Sequence, residues 1–211
     1  SKKLKEMNVN VRVISMPCWE LFEQQSEEYK KLSKELKDNL SRLMQKRQTW
    51  ESHWQEVADY MLPRRADIVQ VRARGDKRNV QIYDATAVHS LEMLASSLHG
   101  SLTSSANRWF SLRFKESELN DSDEAKEWLD LVTDKMYVAF NRSNFQQEVF
   151  ETYHDLIAFG TSCMMIEEDD DSIVRFSSRH IREIYIEENA KGIVDCIYRR
   201  FKLTHKAAAD K

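Results

Sequence analysis

Between Ser26 and Pro63 the apolar residues Tyr29, Leu32, Leu36, Leu40, Leu43, Trp50, Trp54, Val57 and Met61 recur at spacings of three and four, skipping only the turn at Arg47. That is the period of an α-helix, and its length predicts one amphipathic helix from Ser26 to Leu62. Ser26 is suited to the N-cap, Glu27 and Glu28 put acids where the helix dipole favours them, and Pro63 ends the element at Leu62. So long an apolar stripe left in water would be an aggregation hazard. Leu36, Leu40, Leu43, Trp50 and Trp54 are therefore expected on one face, covered within the subunit or by a neighbour.

Composition agrees with a helical frame. The 211 residues include only four glycines and two prolines, well under the usual shares of about 7% and 5%, which disfavours hairpin-rich sandwiches and flexible linkers. A hydrophobic fraction of 41% supplies a core for one or two domains. The 32 basic and 35 acidic side chains leave a net charge of -3, so neither bulk polyanion affinity nor a disordered polyelectrolyte follows. The charge is nonetheless polarised: residues 1–78 hold 17 Lys/Arg against 12 Asp/Glu, and the remainder 15 against 23. Cys18, Cys163 and Cys196 form no C-x-x-C pair, so a reducing compartment is expected. No apolar run approaches a membrane span and the first residues form no signal peptide, so a protein neither secreted nor embedded is expected.

Residues 1–25 combine Val9, Val11, Val13 and Ile14 with a Pro17-Cys18-Trp19 break and read as an unassigned extension. After the long helix, Asp84 is expected to cap a tightly packed core helix carrying Val88, Leu91, Leu94, Ala95, Leu98 and Leu102. Trp109, Phe110, Leu112 and Phe114 read as a short strand, with Trp109 and Phe110 buried as packing residues. Asp121-Ser122-Asp123-Glu124 then caps a helix with Trp128, Leu129, Val132, Met136 and Phe140. A further helix from Phe145 to Phe159 is ended by Gly160. From Cys163 the period changes to two, predicting strands at 163–166, 173–176, 184–186 and 193–201 in one antiparallel sheet, the first two joined by the acidic turn Glu167–Asp171. Thr204 opens a helix that stops at Lys211 without a cap, as in a truncated product. The fold class is thus α+β, helix-rich, with one long amphipathic N-terminal helix and a small antiparallel sheet. The expected domains are 1–25, 26–62 and 63–211.

Catalytic signatures are missing from the sequence. Glu167–Asp171 fails the EF-hand register, since Val174 stands where glycine is needed and His180 where the twelfth-position Glu belongs. The histidines form no H-E-x-x-H, the glycines no phosphate cradle, and there is no G-x-S-x-G elbow. No enzyme, metal or cofactor is expected. The one candidate site is the basic loop around Gly75, with Arg64, Arg65, Arg72, Arg74, Lys77 and Arg78 against Asp67 and Asp76. Such a loop grips phosphates or an acidic subunit surface, or is simply solvated. No aromatic is interleaved to stack on bases, so any nucleic-acid contact is expected to be indifferent to sequence.

Several segments together resemble the portal, or head-to-tail connector, proteins of short-tailed phages. They are Trp54-Gln55-Glu56-Val57-Ala58-Asp59-Tyr60-Met61-Leu62-Pro63, Tyr83-Asp84-Ala85-Thr86 and Leu94–Leu98, then Ser101-Leu102-Thr103 through Arg108-Trp109-Phe110-Ser111-Leu112. Ser143-Asn144-Phe145, Tyr153–Leu156, Phe159-Gly160-Thr161, Glu183-Ile184-Tyr185, Gly192–Asp195 and Arg200-Phe201 extend the likeness over about residues 27–205. Chains of that family are longer, and this one resembles their amino-terminal wing. Ser105 and Ala106 stand where the family pattern has a proline-containing turn.

The resemblance implies a structural protein of the virion. Its subunits would form a ring, a dodecamer in the family's manner, at one capsid vertex, through which double-stranded DNA is packaged and ejected. Implied partners are further copies of itself, the major capsid, scaffolding, packaging terminase and tail adaptor proteins, and DNA held without specificity; no membrane is implied. Localisation would be the virion, after assembly in the host cytoplasm. The alternative from the residues alone is a free-standing helical nucleic-acid-binding or regulatory module that uses residues 64–78.

Overall fold

The computed structural model describes residues 23, 25–73, 75–78, 80–115 and 122–202. Most of the N-terminal extension, Arg74, Asp121 and the helix expected from Thr204 lie outside the described residues. The chain divides into two compact units, Gln48–Ile184 and Ser1–Arg47 with Tyr185–Lys211. The division falls inside the long helix, at the turn the apolar stripe skips.

That helix, α1, runs unbroken from Glu27 to Met61. Its start is as the sequence predicts: the Ser26 hydroxyl accepts the Tyr29 amide at 3.3 Å, and its carbonyl accepts Lys30 N–H. The covered face differs. Leu43 is buried and Leu36, Leu40 and Trp54 are partly covered, whereas Trp50 is 59% exposed. The most covered positions include Ser33, Gln55, Ala58 and Asp59, so the inner face of α1 is partly polar. Within the smaller unit, Arg42 pairs with Glu187 and the Arg47 guanidinium lies 3.8 Å over the Tyr185 ring. This explains why the stripe omits position 47: a cation–aromatic contact takes the place of an apolar one.

In the larger unit a 3-10 turn, Pro63–Arg65, leads through the basic loop to α2, Thr86–Leu102. Asp84 stands one residue before the cap position, Ala85, but its carboxylate still accepts the Thr86 amide and hydroxyl, which hold it below the usual carboxylate range. Of the apolar residues expected in its core, only Leu91 and Ala95 are buried, and Leu94 and Leu102 are exposed. α3, Asp123–Arg142, and α4, Phe145–Phe159, follow. Gly160 ends α4 with φ 73°, donating to the Leu156 carbonyl, a left-handed cap that glycine adopts without a Cβ penalty. Both α2 and α3 pack on α4.

Among the described residues the β-structure is two two-stranded sheets instead of the single sheet expected. β1, Cys163–Asp169, pairs antiparallel with β2, Ile173–Arg179, with Met164 opposite Ser178 and Ile166 opposite Phe176. Glu167, Glu168 and Asp169 belong to β1, so the acidic turn is shorter than the sequence suggests; Asp169 closes it by accepting from Ser172. β3, Ile184–Glu188, pairs with β4, Val194–Arg199.

The Trp109–Phe114 run forms no strand. It is irregular chain whose backbone is served by α3 side chains: Phe110 N–H donates to the Tyr137 hydroxyl at 2.7 Å, that hydroxyl donates to the Phe110 carbonyl at 3.0 Å, and Leu112 N–H reaches Thr133 Oγ1. A β-type sequence without a neighbouring strand has found its hydrogen bonds on a helix. Trp109 packs, stacking on Phe145 at 5.8 Å and Phe140 at 6.4 Å, and remains 36% exposed. The buried centre of this cluster is Phe145, Val149 and Phe176.

Candidate functional site

The basic loop is shaped by two polar residues of α1. Gln55 and Asp59 are one helical turn apart on the face that looks inward, and Gln55 Nε2 donates to Asp59 Oδ1 at 3.0 Å and also to the Ala66 carbonyl. The other end of the same amide, Oε1, accepts from three successive backbone amides, Ile68 at 3.1 Å, Val69 at 2.9 Å and Gln70 at 3.3 Å. Three N–H groups converging on one point ordinarily form a nest for an anion. Here a neutral side-chain oxygen fills it, and the loop is wound round a single glutamine.

Three of the five described loop cations, Arg65, Arg72 and Arg78, are then drawn into internal pairs. Arg72 donates to Asp59 at 2.7 Å and lies 3.6 Å from Asp67; the bond to Asp59 makes Arg72 still harder to deprotonate. Arg78 pairs with Asp67 at 2.9 Å and donates to the Arg64 carbonyl. The Asp67 carbonyl takes a bond from Arg182. Arg65 reaches α4, at 3.2 Å from Glu151 and 3.0 Å from Asp155, while its carbonyl is 2.9 Å from His180 Nε2. Of the six cations singled out in the sequence, Arg65, Arg72 and Arg78 therefore sit in internal pairs, Arg64 and Lys77 are exposed, and Arg74 lies outside the described residues.

Beneath Arg65 the electrostatics are unusual. Asp155 is buried, and although Arg65 is close, neither carboxylate oxygen receives a well-directed hydrogen bond. Desolvation outweighs the Arg65 charge and pushes Asp155 up to about 7. His180, partly buried, is pushed down to about 4 by desolvation, which outweighs the opposing effect of its contact with the Arg65 carbonyl. A neighbouring contact joins His154, buried on α4, to Glu92 of α2 through Nε2, with Nδ1 at 2.9 Å from the Phe150 carbonyl.

The same device recurs at the edge of β2. Asn144 donates to the Phe176 carbonyl at 2.7 Å and accepts the Phe176 amide at 2.9 Å, and Glu148 accepts the Ser178 amide. The cap residue and a first-turn side chain of α4 thus cover an edge that would otherwise offer unpaired amides to another chain. The sequence singles out none of Gln55, Asp59, Thr133, Tyr137, Asn144 and Asp155 as a site residue, although Gln55, Asp59, Asn144 and Asp155 fall in the segments that carry the family resemblance. One signal was available: Gln55 and Asp59 flank Ala58 within the apolar stripe, where a polar residue has to be satisfied internally.

Among the described residues no group of three or more His, Cys, Asp or Glu is placed to hold a metal ion, and no helix is long and apolar enough to cross a membrane. The geometry defines a helix-rich α+β fold in which Arg65, Arg72 and Arg78 of the basic loop are spent on internal ion pairs. The chain belongs to the family of bacteriophage head to tail connecting proteins, which residues 33–211 match. It is 37% identical over 163 residues to a probable portal protein of Bordetella phage BPP-1 and 32% identical over 166 residues to a portal protein of Salmonella phage epsilon15. These stretches cover 77% and 78% of this chain but only 29% and 30% of those relatives. A free-standing nucleic-acid-binding or regulatory module finds no support in that membership.

Proposed function

We propose that this chain is the amino-terminal, wing-like portion of a portal protein, a subunit of a homo-oligomeric ring seated at one capsid vertex through which double-stranded DNA is packaged and ejected. The observation that carries the reading is the match of residues 33–211 to the connector family, with portal proteins of two phages among the relatives. The role is structural and not catalytic. A ring of twelve copies, contacts with the major capsid, scaffolding, terminase and tail adaptor proteins, and a place in the virion after assembly in the host cytoplasm complete the proposal. Negative-stain imaging of the full-length product tests it: rings with a central channel are expected, and particles no larger than dimers would overturn it.

Within the loop, the internal pairing of Arg65, Arg72 and Arg78 leaves Arg64 and Lys77 as the residues we assign to outside contact. Two point charges do not read bases, so a contact with DNA would be weak, salt-dependent and indifferent to sequence. A contact with an acidic neighbouring subunit would instead appear in assembly.

A further inference from the structure

Two histidines lie between α2 and α4, and their partners differ in kind. Glu92, which is the only Asp, Glu, Lys or Arg on α2, reaches Nε2 of the buried His154 of α4. The other ring nitrogen, Nδ1, lies 2.9 Å from the Phe150 carbonyl. A carbonyl oxygen only accepts, and so does an ionised carboxylate. A neutral imidazole has one N–H to give, so it serves one of these oxygens and turns a lone pair towards the other. Imidazolium, with a proton on each nitrogen, makes both hydrogen bonds, and the one to Glu92 is then charge-assisted. His99 of α2 meets instead the side-chain amide of Gln146 at 2.8 Å, a group that turns to suit either form of a ring. One contact between the two helices therefore depends on a proton, and the other does not.

We infer that the Glu92–His154 contact is a proton-operated tie between α2 and α4, made in full by the protonated ring and weakened when the ring gives its proton up to water. The charged groups around the ring are few. From α2 there is Glu92 alone. On α4, Glu151 precedes the histidine by three residues and Asp155 follows it, close enough to feel its charge. Arg65, from the 3-10 turn, is occupied by those two carboxylates, at 3.2 Å and 3.0 Å, so Glu92 is the acid that the ring meets directly. An imidazole ordinarily changes charge between about pH 5 and 8, and a contact between elements that such a proton makes or releases is the device on which pH-sensitive proteins rely. Release is local. The His99 contact, the Thr103 hydroxyl 3.2 Å from that of Tyr153, and the buried Leu91 and Ala95 do not depend on the proton. Loss of the tie should therefore loosen α2 without unfolding the unit.

Hydrogen exchange of the α2 amides, referenced in the same sample to those of α3, reads the opening of α2. In the unaltered chain that referenced opening is expected to rise about fivefold between about pH 6 and pH 8, the difference between a charge-assisted and a neutral hydrogen bond. Glu92→Gln is the discriminating variant. Its amide accepts from a protonated ring through Oε1 or donates to a neutral one through Nε2, so the tie survives in both forms and the rise should shrink to less than about twofold. Glu92 is exposed, and circular dichroism checks that the variant stays helical. An unaltered chain whose α2 opens equally at both pH values overturns the tie. So does a Glu92→Gln variant that keeps the parent's rise, because the response then belongs to another group, such as Asp155, which is raised to about 7.

Discussion

Residues 66–70 and residues 109–112 are both irregular segments held against a helix, and they are held by opposite means. The first is gripped by one buried amide, Gln55, with arginines and aspartates around it. The second lies in a stack of rings, Trp109, Phe110, Tyr137, Phe140 and Phe145, with only two side chains bonding its backbone. Apolar packing is non-directional and tolerates a range of sequences. The glutamine clamp is directional, and its loss leaves several buried groups unsatisfied together. Segment 109–112 should therefore yield gradually to substitution, and segment 66–70 should yield abruptly at one residue.

The sharpest test of the aromatic side is Phe145→Ala, expected to cost about 4 kcal/mol as a buried ring lost from the centre of the cluster. Trp109→Ala should cost about 2 kcal/mol, below the range for a fully buried tryptophan because much of the ring already faces water. Chemical denaturation measures both, and a Trp109 loss equal to the Phe145 loss would show that the cluster is centred elsewhere.

On the polar side, Gln55→Ala should cost about 3 kcal/mol by stranding the amides of residues 68–70 and the Ala66 carbonyl. Limited proteolysis should open the loop well before the variant unfolds globally. A loop that stays as resistant as the parent would show that the arginine pairs alone suffice to hold it.

The desolvated groups beside Arg65 give a pH test. Asp155 is raised to about 7, so between about 4 and 7 the folded chain binds the extra proton and the Asp155 contribution to stability falls as pH rises. His180 is lowered to about 4, so between about 4 and 6.5 the unfolded chain binds the extra proton and its contribution grows as pH rises. The two slopes oppose one another. The parent should show a nearly flat profile from pH 4 to 6.5, Asp155→Asn should gain stability over that window, and His180→Gln should lose it, each by about 3 kcal/mol across the window. Parallel profiles for all three proteins would show that neither group is desolvated as the geometry requires.

The smallest effect on stability is expected at the rim of the same loop. Arg64→Glu with Lys77→Glu should leave stability within about 0.5 kcal/mol, in contrast to Arg72→Glu, which sets a like charge against Asp59 and Asp67. If the double variant of the full-length product forms rings but shows a weaker salt dependence of DNA binding, the loop meets DNA. Lost rings with unchanged DNA affinity would place it at a subunit contact instead.

Local period and caps decided much of this molecule. α1 begins at its serine cap and stops at its proline, α4 stops at Gly160, and the change to a period of two announced the strands, because hydrogen-bonding repeat and steric limits act within a few residues of sequence. The connector likeness was legible in short motifs for the same reason. Tertiary structure alone decided which groups those elements would serve. Trp109–Phe114 has the composition of a strand, but a strand needs a neighbour, and the nearest donors and acceptors proved to be Tyr137 and Thr133 on a helix. The cations of residues 64–78 look like a phosphate grip in sequence, yet Asp59, Glu151 and Asp155 come to meet them from two helices. Charge is written residue by residue, but whether it is spent inside the fold or offered to a partner depends on what the fold carries to within a few ångströms, and that is a property of long-range packing.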